Sequence, residues 1–90
     1  MRIIFDAAKR AKTLEERGVD VADAAEVFGG RHTVALDQRR DYGEPRLISV
    51  GKLHGRLVVI VWTPRGNTRS IISMRLCHAS EAERWAAVLD

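Results

Sequence analysis

The stretch LVVIVW, residues 57 to 62, constrains this chain more than any other feature. Its β-branched residues and the turn residues on either side make so short a run a strand rather than a helix. Neighbouring residues of a strand face opposite ways, so a run apolar at every position needs cover on both faces. The expectation is a central strand with helices on one side and another covering layer on the other.

The segments RLISVGK and TRSIISMRL flank this run, separated from it by LHG and PRGN, and the three read as an antiparallel meander. Upstream, MRIIF has short β character. Asp6 can cap a helix over AAKRAKTLEER that Gly18 ends in a left-handed conformation. Asp20 can cap a second helix closed by Gly29 and Gly30, with Val21, Ala24, Ala25 and Phe28 on one face. Ser80 followed by Glu83 is a capping-box pattern, and Ala82, Trp85, Ala86 and Leu89 recur at helical spacing. The predicted order is β-α-α-β-β-β-α, an α+β fold with an antiparallel sheet packed by helices, in a single domain over residues 1–90. Residues 29 to about 45 are long for a loop, and HTVAL within them is a candidate strand.

Ninety residues can bury only a small core. The balance of 15 Lys and Arg against 12 Asp and Glu, net +3, mildly favours an anionic partner. LVVIVW is too short to span a membrane and the N-terminus lacks a signal-peptide core, so a cytoplasmic protein without a membrane partner is expected. The single Cys77 excludes an internal disulfide, and no Cys and His spacing forms a zinc motif, so no metal and no cofactor are expected.

Charge concentrates in DQRRDYGEPRLISVGK, residues 37 to 52, directly before the meander. In the longer DQRRDYGEPRLISVGKLHGRLVVIVWTPRG it follows the pattern D-x-R-x-x-Y-G-E-x-R-x-x-x-x-G…G-R-L-x-x-V-x-x-T-x-R-G. The start of the chain, FDAAKRAKTLEERGVDVADAAEVF, follows F-x-W-D-x-x-K…K-H-G-V-x-F-x-x-A-x-x-V-F, and IISMR with SEAER follows I-I-S-x-R…E-R. These motifs resemble those of the BrnT family, RNA-cleaving toxins of bacterial type II toxin-antitoxin pairs with a RelE/ParE-like fold. Three departures are Asp6, which stands alone where the family has Trp-Asp, Arg17, where the family frequently has His, and Ser70, where it often has Arg and this chain carries the arginine at Arg69 instead.

The resemblance implies an endoribonuclease that cuts RNA by metal-independent transesterification and inhibits translation and growth. It also implies a BrnA-like ribbon-helix-helix antitoxin as partner, with DNA touched only through that antitoxin. Such cleavage needs a base for the 2′-hydroxyl, cations at the phosphorus and an acid for the leaving oxygen. Arg69 and Arg75 lie six apart, so with Ser73 they are expected on one strand face, beside Arg46 at the head of the neighbouring strand. Tyr42, Glu44 and Arg46 would sit at the rim of that face. Glu44, Arg46, Arg75 and Tyr42 are thus the candidate catalytic residues, and Lys9, Lys12, Arg69 and Ser73 the candidate RNA contacts.

Each candidate also has a plainer reading. Arg75 can pair with a carboxylate of the last helix, Glu44 and Tyr42 can be solvated partners of nearby arginines, and Lys9 and Lys12 can form a solvated stripe. His32, His54 and His78 read as surface, turn or capping residues, and Trp62 and Trp85 as packing residues rather than base-stacking platforms. A different class of function is a non-catalytic module, or degenerate toxin, that binds RNA or an acidic protein without cutting.

Overall fold

The computed structural model describes residues 2–89. One mixed sheet carries five strands in the order β1-β5-β4-β3-β2, with β1 Arg2–Ile4, β2 Ala35–Leu36, β3 Leu47–Leu53, β4 Arg56–Arg65 and β5 Thr68–Leu76. The helices are α1 (Ala7–Arg17), α2 (Ala24–Gly29) and α3 (Ala79–Leu89). β4, which carries LVVIVW, is central as expected and is covered on both faces. Val58, Ile60 and Trp62 enter a core completed by α2 and its approach, while Val59 packs with Trp85 and Leu89 of α3. No helix among the described residues is long and apolar enough to cross a membrane.

Local signals account for most element ends. Asp6 accepts from the backbone N–H groups of Ala8 (2.8 Å) and Lys9 (3.1 Å), and Gly18 closes α1 at φ 70°. Asp20 caps a 3₁₀ turn, Val21–Asp23, that leads into α2, and the same carboxylate takes both arms of Arg10 at 2.7 and 2.9 Å. That tighter turn rotates the inward face: Val21, Ala24 and Val27 are buried, Phe28 is half-buried, and Ala25, expected inside, is exposed. Ser80, expected as a cap, lies in the first turn of α3. Glu81 caps instead, accepting the His78 backbone N–H at 2.8 Å.

The strand order differs from expectation in two places. HTVAL supplies the short edge strand β2, paired antiparallel to β3, so the order becomes β-α-α-β-β-β-β-α. The sheet is not wholly antiparallel, because β1 pairs parallel to β5. A parallel pair needs a long crossover, and nearly the whole intervening chain provides it.

One irregularity decides where the charged residues point. Val61 stands opposite Ser73 and Trp62 opposite Ile71, which leaves Ile72 as the extra residue of a β-bulge in β5. Beyond the bulge the alternation reverses, so Ile71 and Met74 both enter the α2-side core although they are three apart.

Gly51 lets α2 sit close on β3. A Cβ there would stand 2.7 Å from Val27 Cγ1, 3.2 Å from the Arg31 carbonyl oxygen and 3.2 Å from His32 Cβ. Gly51→Ala should therefore lower unfolding free energy by about 1–3 kcal/mol, measurable by urea titration. Unchanged stability would mean that α2 is not seated as described.

Candidate active site

The face of the sheet beneath α3 is only partly covered. Three adjoining cavities form a cleft across it. The first, about 440 Å³, is floored by Ile48, Val50, Val59 and Val61 and walled by Arg17, Arg39, Arg75, Glu81 and Trp85. It shares Arg17 and Ser73 with a second of about 270 Å³ alongside α1, which reaches Lys9 and Lys12. Lys9, Phe5 and Asp6 are shared in turn with a third of about 360 Å³, where Glu44, Arg46 and Arg65 stand.

Arg75 is held before any ligand arrives. Its guanidinium donates to both oxygens of Glu81, at 2.7 and 2.9 Å, and to the Leu76 carbonyl at 3.2 Å. The anticipated pairing with a carboxylate of the last helix is therefore present, and it fixes the guanidinium in the cavity wall. Glu81 raises the Arg75 pKa, while burial and, more weakly, the like charge of Arg39 oppose the rise.

The same contact holds Glu81 at a pKa of about 2, below its ordinary 4.5, first through Arg75 and then through the His78 N–H. A depressed carboxylate pKa stabilises the fold above the unfolded value, and that contribution is lost as pH falls from about 4.5 through about 2. The melting-temperature advantage of the wild type over Glu81→Gln should accordingly shrink below pH 4.5. An advantage that stays constant with pH would contradict the ionised pair.

The segment between β2 and β3 is ordered around Asp37. Its side chain is fully buried, and its carboxylate accepts from Arg39 Nε (2.8 Å), Arg39 Nη2 (2.7 Å) and the Tyr42 hydroxyl (3.2 Å). Arg39 is the main cause that holds the Asp37 pKa well below the usual carboxylate range. Tyr42 in turn carries the Arg46 guanidinium over its ring at 4.0 Å. Asp37 thus orients a cation at each end of the cleft, Arg39 directly and Arg46 through Tyr42.

The structure brings only some of the candidates together. Arg75 and Ser73 line the cavity beneath α3, whereas Glu44, Arg46 and Lys9 gather at the far end and Lys12 lies between. Glu44 is partly exposed and meets Arg65 at 3.2 Å. Arg69 does not share a face with Arg75: the bulge turns it to the opposite side, where its guanidinium lies 4.2 Å from the Phe28 ring centre and 5.1 Å from that of Trp62. Ser70 occupies the cleft position, so the departure from the family pattern removes a cation there.

None of the three histidines lines these three cavities. His32 packs edge-on against Phe28, and exposed His54 meets Glu26 at 3.2 Å. Arg39, Asp37 and Glu81 were not among the candidates. The first two form the D-x-R pair that opens the charged segment, which was a usable signal; Glu81 is placed only by the packing of α3.

A small mixed α+β domain whose sheet carries an open cleft where guanidinium and ammonium groups outnumber carboxylates is suited to an extended polyanion. A family model described as "Ribonuclease toxin, BrnT, of type II toxin-antitoxin system" matches residues 5–81. The chain belongs to the BrnT family. No match was found among curated proteins.

Proposed function

We propose that this chain is an endoribonuclease toxin that acts in the cytoplasm, cutting RNA by metal-independent transesterification and so inhibiting translation and growth. The continuous basic cleft of the sheet face supports this reading most strongly. An RNA strand lies along it. Arg75 and Ser73 hold the scissile phosphate, Arg46 a neighbouring phosphate, and Lys9 and Lys12 extend the contact along α1. The 2′-oxygen forms a bond to phosphorus as the bond to the 5′-oxygen breaks. Tyr42, whose hydroxyl shares an Asp37 oxygen with Arg39, takes part in moving the proton from the nucleophile, while Glu44 stands at the far end with Arg46, and the leaving oxygen is protonated, so the products carry a 2′,3′-cyclic phosphate and a free 5′-hydroxyl.

The partner in this reading is a BrnA-like ribbon-helix-helix antitoxin that covers the cleft, and DNA is reached only through it. Incubating the purified protein with single-stranded RNA in EDTA should give fragments ending in cyclic phosphate. Binding without cleavage would favour a non-catalytic module, a reading consistent with Glu44 being engaged by Arg65.

A further inference from the structure

The cavity beneath α3 divides into two chemical halves. Its floor is aliphatic, from Ile48, Val50, Val59 and Val61, and the half-buried Trp85 ring closes one side. Its rim is cationic: Arg17, Arg39 and Arg75 stand against one carboxylate, Glu81. Counting Asp37 behind Arg39, three positive charges face two negative ones, which leaves one to be met by a ligand. A bare phosphate clamp has no use for the apolar half, and an apolar ligand has none for the rim.

The rim is also preorganised with donors to spare. A guanidinium has five N–H groups. Arg39 directs its Nε and Nη2 at Asp37, leaving its Nη1 edge open. Arg75 uses Nη1 and Nη2 on Glu81 and Leu76, leaving Nε open. Each is anchored by a carboxylate, so binding an anion need not first order a long side chain. The like charges of Arg39 and Arg75 oppose one another across the cavity, a repulsion that an anion between them relieves. The volume, about 440 Å³, lies within the range of ~300–1,000 Å³ usual for small-ligand sites.

We propose that this cavity is a nucleotide subsite, taking one unpaired base against Trp85 and the aliphatic floor with the 3′-phosphate of that nucleotide on Arg39 and Arg75. The inference rests on the ribonuclease reading and deepens it: the base bound here belongs to the nucleotide whose 3′-phosphate is cut. Arg39 then touches substrate beside Arg75, Arg17 closes the rim, and double-stranded RNA, whose bases are stacked and paired, is excluded.

The test uses the intact protein and three probes, 3′-AMP, ribose 5-phosphate and inorganic phosphate, followed by the indole N–H resonance of Trp85. The expected result is that 3′-AMP shifts the Trp85 signal and competes with RNA, whereas inorganic phosphate and ribose 5-phosphate leave Trp85 unmoved. In competition with RNA, Trp85→Leu, which keeps an apolar side chain there, should weaken 3′-AMP roughly tenfold with little effect on inorganic phosphate. Arg39→Gln should weaken both. Equal competition with RNA by all three probes, with Trp85 unmoved, would reduce the cavity to a phosphate clamp, and no competition by any probe would remove the subsite altogether. Both outcomes leave the ribonuclease reading to its own assay, since wild-type cleavage in EDTA is scored without these probes.

Discussion

Arg75→Ala should lower the rate of RNA cleavage by about 10²-fold or more while the domain stays folded. The penta-coordinate phosphorus gathers negative charge that the bound substrate lacks, and a fixed cation there acts on the transition state more than on the ground state. Arg75 is fixed by Glu81 and Leu76, so its charge is in place at no reorganisation cost. The stability cost is expected to be small, because both side chains of the pair retain contact with water. Arg75→Lys keeps the charge but not the planar fork, and should recover only part of the activity. Single-turnover cleavage beside a thermal melt of each variant checks this. An Arg75→Ala protein that unfolds would mark the pair with Glu81 as structural.

Trp62→Ala should cost about 3–5 kcal/mol of stability, a large part of the ~5–15 kcal/mol that holds a domain together. Trp62 is 5% exposed in the core at the centre of the sheet. Its indole N–H donates to the Ser49 hydroxyl at 3.0 Å, and its ring meets Phe28 edge-on with centres 5.6 Å apart. The substitution opens a cavity, leaves buried Ser49 without that donor, and takes one of two rings from Arg69. Urea unfolding gives the magnitude. Arg69→Ala should lower stability by about 1 kcal/mol without weakening RNA affinity. A Trp62→Ala protein that keeps its stability but loses RNA binding would make the α2 face the RNA surface.

The sequence carried the fold further than it carried the site, and particular residues show why. LVVIVW, the caps Asp6 and Asp20, and the glycine turns are local signals, and they place β4, α1, the approach to α2 and the hairpins. The parallel pairing of β1 with β5 depends on contacts across almost the whole chain and has no local mark. Ile72 is an ordinary strand residue by composition; only its pairing shows that it bulges, and that one residue sends Arg69 to the opposite face from Arg75. The plainer reading of Arg75 was also legible, yet the sequence could not tell that its carboxylate partner would lie in the wall of a cavity. Tyr42 and Arg46 were expected at the rim together; the Arg46 guanidinium lies 4.0 Å over the Tyr42 ring, and the Tyr42 hydroxyl ties the pair to Asp37, a partner that the charged stretch alone did not single out.

The claim that RNA lies on the α3 side of the sheet is tested most directly by NMR mapping with a short single-stranded RNA whose 2′-oxygens are methylated, so that it binds without being cut. The backbone and side-chain signals of Ser73, Arg75, Arg39, Lys9 and Trp85 should shift on titration, while those of Arg69, Phe28 and Asp20 stay in place. Shifts confined to Arg69, Phe28 and their neighbours, with the cleft unmoved, would contradict it.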